Sequence, residues 1–306
     1  MTSTSTKVRV ANAPCSWGVL EFEEQSAAGY EYDRVLDEMA TAGYAGTELG
    51  DWGFMPTDPP ALAGALASRS LALVGAFVPV RLADPGATDE GGAAAIRTAR
   101  LLAGAGFPGA FVVLADDIAA SPERTAIAGR VGPADALPDA SREIFARNAE
   151  HIARAVREST GLRTVFHHHC ASFVETMEEI VNLMNRTDPS VLGLCLDTGH
   201  LTYAGGDPLQ ALDRFGSRIW HVHLKDCSEP VAARARDGKW DYNAAVRHGV
   251  FCELGHGVVD FAGVLDRLDA LGYTGWAVVE QDVLPSLGTP AASARRNREF
   301  LRRFSL

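Results

Sequence analysis

His221-Val-His-Leu-Lys-Asp226 closes an apolar run that begins at Ile219, and two other runs stop in the same way. Val191–Leu196 ends at Asp197-Thr-Gly-His200, and Trp276–Val279 ends at Glu280-Gln-Asp282. Continuous apolar runs of this length are the pattern of parallel strands buried on both faces. Barrel enzymes gather their catalytic groups at the carboxyl ends of several different strands. Three strands that each end on a metal-binding group therefore read as a parallel barrel built around a metal site.

Working outward, strand patterns fall at Val8–Pro14, Gly46–Leu49, Leu73–Val78, Ala110–Leu114, Thr164–His167, Val191–Leu196, Ile219–Leu224 and Trp276–Glu280. Helical patterns lie near 31–42, 59–69, 91–105, 141–158, 175–186, 207–214, 260–271 and 291–303. Thr176 and Glu179 have the spacing of a capping box, and Gly43, Gly161 and Gly272 follow helical patterns as stop signals. Eight strands alternating with eight helices predict a single α/β (β/α)8 TIM barrel spanning residues 1–306. A doubly wound open sheet is the competing architecture, but it usually carries a glycine-rich turn after its first strand. Here that turn reads Ala13-Pro-Cys-Ser-Trp-Gly18, which does not match. Residues 1–6 read as a flexible polar tail. Two βα connections, about 116–138 and about 226–258, exceed the ordinary loop length and are expected to lie over the pocket as lids, with a plain surface insertion as the alternative for 116–138.

The formal charge of −11 argues against a nucleic-acid or membrane-surface binder, since both need basic stripes. No apolar run approaches the roughly 20 residues that span a bilayer. The polar start lacks the apolar centre of a secretory signal, so the cytoplasm is the expected location. Cys15, Cys170, Cys195, Cys227 and Cys252 are scattered and read as reduced thiols. Cys195 is expected in the core, and Cys15 and Cys170 beside the pocket. Monomer, dimer and tetramer are all compatible with this composition, so a homo-oligomer stays open.

Asp197 offers hard oxygen ligands for Mn²⁺, Mg²⁺ or Zn²⁺, although Asp-Thr-Gly is also good turn and N-cap chemistry. His200 is either a loop residue or one that reaches a substrate above the metal. His221 and His223, two apart on one strand, point the same way. His223, nearer the carboxyl end, is the better ligand, and His221 reads as a hydrogen-bonded core histidine behind it. Lys225 shares their parity and could polarise a carbonyl or hold an anionic intermediate; alternatively Lys225-Asp226 is an ordinary exposed pair. A buried Glu280 without a partner would be costly, and a metal removes that cost. Alternation places His167 and His169 on one strand face and His168 on the other. If His167 completes the set, two histidines, one Asp and one Glu make a mixed N/O sphere for Mn²⁺, Co²⁺, Fe²⁺ or Zn²⁺.

The patterns D-x-x-H at 197–200, H-x-H-x-K-D at 221–226 and V-V-E-x-D at 278–282 resemble the xylose-isomerase-like barrels, which include sugar epimerases and endonuclease IV. Asn12-Ala-Pro-Cys-Ser-Trp-Gly18, Gly46-Thr-Glu-Leu-Gly50, the run His167–His169 and Leu254-Gly-His-Gly-Val-Val-Asp260 narrow the resemblance to the inosose (2-keto-myo-inositol) dehydratase-like branch. The resemblance covers nearly the whole chain. It implies one divalent metal, commonly Mn²⁺ or Co²⁺ with Zn, Fe or Mg also compatible, held by His167, Asp197, His223 and Glu280. The wider family usually has a Glu where His167 stands, so His169 is the alternative fourth ligand. The resemblance also places His200 and Lys225 near the substrate and makes Glu48 and Trp17 shape the pocket, with His169 and His221 grouped among the substrate contacts.

The activity so implied is dehydration of a cyclic polyol ketone through an enediolate. Glu280 or Glu48 would remove the α proton, and His200 or Lys225 would help the β-hydroxyl leave. The alternative is a metal-dependent ketose epimerase or isomerase, which uses the same enediolate but returns the proton to another face or carbon. A repair nuclease would need a metal cluster and a basic surface, so a small polyhydroxy ketone is the expected partner and nucleic acid is not.

Overall fold

A computed structural model describes residues 8–18, 30–282 and 288–306; the expected tail at 1–6 lies outside them. All eight expected strands form: β1 (Arg9–Asn12), β2 (Gly46–Glu48), β3 (Ala72–Val80), β4 (Phe111–Asp116), β5 (Arg163–His167), β6 (Leu192–Asp197), β7 (Ile219–Leu224) and, after a short ribbon of β8 (Asp226–Cys227) with β9 (Phe251–Cys252), β10 (Trp276–Val279). They pair in parallel in chain order, and β10 closes the barrel against β1. The eight expected helices also form, with boundaries shifted by a few residues, as with Asp139–Thr160 and Pro290–Arg302. The capping box is present: Thr176 accepts the Glu179 amide, and the Glu179 carboxylate accepts the Thr176 amide in return.

Two apolar layers hold the barrel. Inside it, Phe111, Val113, Val165 and Cys195 fill the floor together with Trp220. Outside, strand residues meet the helices, as where Phe166 packs edge-on against Phe145 of the helix Asp139–Thr160 at 5.7 Å. Each such fully buried side chain contributes about 1.5–3 kcal/mol relative to an exposed one.

Register brings the site residues to one level. Asp197 pairs with His223, and His223 with Val278. Glu280 lies one residue past β10, yet its amide still bonds Leu224 O at 3.1 Å, so its side chain continues the pattern of the strand. A register shift between Thr47 and Glu48 re-aims the end of β2. Gly75 on β3 makes room there, since a Cβ at that position would stand 2.9 Å from Glu48 Oε1.

The two long connections are ordered. Residues 116–138 contain the helix Pro122–Ile127, tied down by a bidentate pair between Arg124 and Glu179, with both contacts at 2.9 Å. Residues 226–258 contain the helices Glu229–Asp237 and Tyr242–Arg247 and the β8–β9 ribbon. These segments share a second buried cluster, with Ala128, Tyr203, Ala235, Tyr242, Val246 and Phe251 among its members. The longer connection is therefore a packed roof. Asp226 pins it: Oδ1 accepts the amides of Cys227 and Val259, and Oδ2 those of Gly255 and Gly257. A Cβ at Gly257 would lie 2.3 Å from Asp226 Oδ1, which accounts for the second glycine of Gly255-His-Gly257. The reading of Lys225-Asp226 as an exposed pair is corrected, because both are buried beneath this roof. Among the described residues no helix is long and apolar enough to cross a membrane.

Candidate active site

Asp197 ends β6 and also caps the helix Thr198–Tyr203, so both readings of that residue meet in one side chain. Its Oδ1 accepts the His200 amide at 2.8 Å, while the buried Oδ2 has no hydrogen bond. His167 Nε2 stands 3.7 Å from that oxygen, and neither nitrogen of the buried His167 ring has a partner. His223 Nδ1 lies 3.9 Å from Asp197 Oδ2 and 3.0 Å from Glu280 Oε1.

Four atoms bound to one ion at about 2.1 Å sit roughly 3–3.5 Å apart, close to these separations. A buried carboxylate oxygen and imidazole nitrogens left without partners are costly. Burial and the charge of His223 push the His167 pKa down to about 3, so one ring nitrogen is free to ligate at neutral pH. The donor set fits a divalent metal.

Glu48 reaches the same place from the opposite strand. Its Oε1 accepts from His221 Nε2 at 2.7 Å and His223 Nε2 at 3.0 Å. A carboxylate behind a ligating histidine fixes the ring's orientation and raises its basicity. Burial works to raise the Glu48 pKa, but the charge on His223 and the bonds from both histidines outweigh it and hold it at about 2. Burial likewise opposes charge on His223, yet the Cys195 sulfur and the carboxylates of Glu280 and Glu48 hold its pKa well above the usual value. Lys225 backs Glu280 from the other side: Nζ is 3.4 Å from Glu280 Oε2, 3.2 Å from Asp282 Oδ1 and 3.4 Å from His200 Nε2, and lies over the Phe251 ring.

A cleft of about 210 Å³ opens above this constellation, with Glu48, Phe77, Asp116, His167, His169 and Glu280 in its wall. A hollow of about 300 Å³ beside Phe145 and Phe173 contains none of these donor groups. The structure thus brings donor atoms of His167, Asp197, His200 and Glu280 within 4.8 Å of one another, with His223 beside Asp197 and Glu280, and sets Glu48 and His169 in the wall. His169 is engaged elsewhere, with Nδ1 against Cys170 O and Nε2 3.4 Å from Tyr242 Oη, which leaves His167 the better fourth donor.

The other candidate residues take the following places. Trp17 is buried and gives its indole N–H to Glu38 at 2.6 Å, so it braces the first loop from behind the wall. His221 lies a layer below, beside Phe111 at 5.4 Å and bound to Glu48, the place of a hydrogen-bonded core histidine. His200 and Lys225 are buried beside the donors: a ring nitrogen of His200 lies within 4.8 Å of donor atoms of His167, Asp197 and Glu280, its ring packs against His169 at 3.9 Å, and Lys225 Nζ is 3.4 Å from Glu280 Oε2. Cys15 borders the cleft, whereas Cys170 is buried with its thiol against His200 O.

Two acidic residues went unassigned in the sequence. Asp282 was visible within V-V-E-x-D. Asp116 also ends a strand, but with the parity of Val112 and Leu114, which face the helices, and closing that strand at Leu114 hid it. His168, on the outward face of β5, accepts the Asp197 amide at 3.1 Å and so steadies a donor from outside the ring.

The family model for the xylose isomerase-like TIM barrel matches residues 36–304. An inosose dehydratase of Geobacillus kaustophilus is 32% identical over 99% of this chain and 96% of its own. An inosose dehydratase of Geobacillus thermodenitrificans is 33% identical over 97% of each. The solved structure of the IolI protein with a bound zinc atom superposes with a TM-score of 0.67 over 96% of both chains, at 14% identity, a likeness of fold. The chain belongs to the xylose isomerase-like TIM barrel family and, within it, to the inosose dehydratase branch.

Proposed function

We propose that this chain is a divalent-metal-dependent lyase that removes water from a cyclic polyol ketone of the 2-keto-myo-inositol class. The observation that carries the reading is the full-length likeness to two enzymes named inosose dehydratase, at 32% and 33% identity. The convergence of unpartnered donors supports the metal. His167, Asp197, His223 and Glu280 would hold the ion, with Mn²⁺ or Co²⁺ suited to this two-nitrogen, two-oxygen set. When bound, the ion supplies a Lewis acid that polarises the ketone and stabilises the negative charge left by proton loss.

The protein's own groups do the rest. Both oxygens of Glu280 are engaged, by His223 and Lys225. The two hydrogen bonds to Glu48 both fall on Oε1, leaving Oε2 as the carboxylate oxygen that takes the proton α to the ketone. Lys225, anchored by Asp282 and facing His200, holds Glu280 in place. The charge of −11 favours a small-molecule substrate over nucleic acid. The test is proton NMR of 2-keto-myo-inositol in D₂O with Mn²⁺-loaded protein, quenched and chelated before acquisition. A dehydrated dione is the expected product. Deuterium uptake or a new stereoisomer without loss of water would assign the chain to the epimerases instead, and an untouched ketone would remove this substrate.

A further inference from the structure

We propose that Phe77 is a specificity-determining residue: its ring covers the substrate face from which the α proton is taken, and so selects cyclic polyol ketones that carry only C–H bonds on that face. The inference deepens the dehydratase reading and rests on it. It starts from a division of the barrel mouth. His167, Asp197, His223 and Glu280 come from β5, β6, β7 and the end of β10, four strands that follow one another around the barrel. The other half of the cleft wall is apolar at Ala13, Pro14, Phe77, Pro79 and Ile118, which come from β1, β3 and β4 or just beyond their ends. Glu48 on β2 is the polar group set into that half. Asp116 is bound to the amides of Leu82 and Phe173, Asp117 to Arg81, and Asp51 is exposed beyond the end of β2.

Strand parity aims Phe77 inward. Ala76 and Val78 join the core between strands and helices, whereas Gly75 and Phe77 face the barrel interior. Gly75 meets Glu48 and Val113, and Phe77 packs on the floor cluster of Phe111, Val113, Val165 and Cys195. The Phe77 ring lies 6.2 Å from that of His167 and nearly perpendicular to it, at 83°. Phe77 is half-buried, and the rest of its ring borders the cleft. Glu48 pairs with Gly75, so Phe77 stands one alternation above Glu48 on the neighbouring strand. An apolar ring at that place gives a ligand no hydrogen bond, and what it can take is C–H surface.

The geometry of the substrate says which face that is. A C–H bond broken beside a ketone must stand across the carbonyl plane for its electrons to form the enediolate, and in a chair that bond is the axial one. The axial hydrogens of both α carbons point to one face, together with that of the carbon opposite the ketone. Glu48 takes its proton from this face, and Phe77 on the next strand meets it as well. In 2-keto-myo-inositol every hydroxyl is equatorial, so the face is all C–H and the hydroxyls radiate from the edge of the ring. Inverting the carbon opposite the ketone sets an axial hydroxyl against Phe77, where it loses water and gains no partner from the ring. A hydrophobic site turns a mismatch of this size into a discrimination of roughly 10–100-fold.

The experiment measures kcat/KM for water loss by the Mn²⁺-loaded protein on 2-keto-myo-inositol and on its epimer at the carbon opposite the ketone. The wild type is expected to favour the all-equatorial ketone by roughly 10–100-fold. Phe77→Ala, which leaves room for water, and Phe77→Gln, which fills the space with a polar group, should bring the two substrates within about threefold of each other. Phe77→Leu, still apolar, should keep the wild-type ratio within about threefold. The ratio is the readout because a loss of folding or of metal lowers both substrates alike. If Phe77→Ala does not fold, the ratio in Phe77→Gln decides. A wild type that dehydrates both ketones equally well overturns the assignment, as does a ratio unmoved in the variants, and either result leaves the dehydratase reading in place. A wild type that never removes water from 2-keto-myo-inositol overturns that reading and this role with it, a failure visible before any variant is made.

Discussion

Replacing Asp226 by Asn should loosen the roof far more than its surface chemistry suggests. The carboxylate is buried and accepts four backbone amides, two on each oxygen. Whichever oxygen becomes the amide nitrogen, two N–H donors lose their acceptor and face another donor. Hydrogen bonds to a charged group contribute about 1.5–3 kcal/mol each, so the anchoring of the roof falls by about 3–6 kcal/mol. That is comparable with the whole stability of many domains, about 5–15 kcal/mol. The loss should appear first as local opening, because the roof has its own apolar cluster and the barrel is closed without it. Hydrogen exchange should show the amides of Gly255, Gly257 and Val259 losing protection by at least 100-fold while Val113 and Val165 keep theirs. Urea unfolding should show a lower midpoint. Unchanged exchange at those three amides, with a stability loss under about 1 kcal/mol, would refute the reasoning.

Asp197→Asn should keep the helix cap, since an amide oxygen can still accept from His200, and lose metal affinity by at least tenfold by calorimetry; stability lower by more than about 2 kcal/mol would show that the cap estimate is wrong. Gly75→Ala places a methyl 2.9 Å from Glu48 Oε1, at a cost of about 1–3 kcal/mol; turnover should fall at least tenfold with the melting transition still cooperative, and full activity would mean Glu48 tolerates displacement. His168 accepts the Asp197 amide only when neutral, and burial, with the neighbouring His167 ring adding to it, pushes its pKa down to about 3. The unfolded chain takes that proton below about pH 6.5 and the folded chain does not, so this residue's stability term is complete above pH 6.5 and is lost as pH falls toward 3, at about 1.4 kcal/mol per pH unit. Urea titrations at several pH values should show His168→Gln with a shallower acid slope, and an unaltered slope would contradict it.

The barrel was legible because apolar runs and helical periods are local signals, and every expected strand formed. The ends of strands carried less information. Asp116 escaped because the expected strand stopped at Leu114. The roof escaped because its cluster joins Ala128, Tyr203, Tyr242 and Phe251 from separate segments, with no period to reveal it. Lys225 and Asp226 look exposed on any local reading, and only tertiary packing buries them. Trp17 matched a motif, but a motif does not say which way an indole points. The convergence of His167, Asp197, His223 and Glu280 followed from strand parity; that Glu48 would clasp two histidines with one oxygen depended on a register shift in β2 that no residue type announces.

The segment from Ile219 to Asp226 also acts as a ruler. His221 meets Glu48 at the floor, His223 faces the other donors one level up, Lys225 backs Glu280, and Asp226 fastens the roof. Their heights are set by a rise of about 3.3 Å per residue and by strict alternation of faces. Deleting one residue from this segment would turn every contact on one side of the deletion to the wrong face. The same deletion in the turn between the helix Ala87–Gly104 and β4 would touch none of them. Length, more than composition, is what this stretch of chain cannot trade.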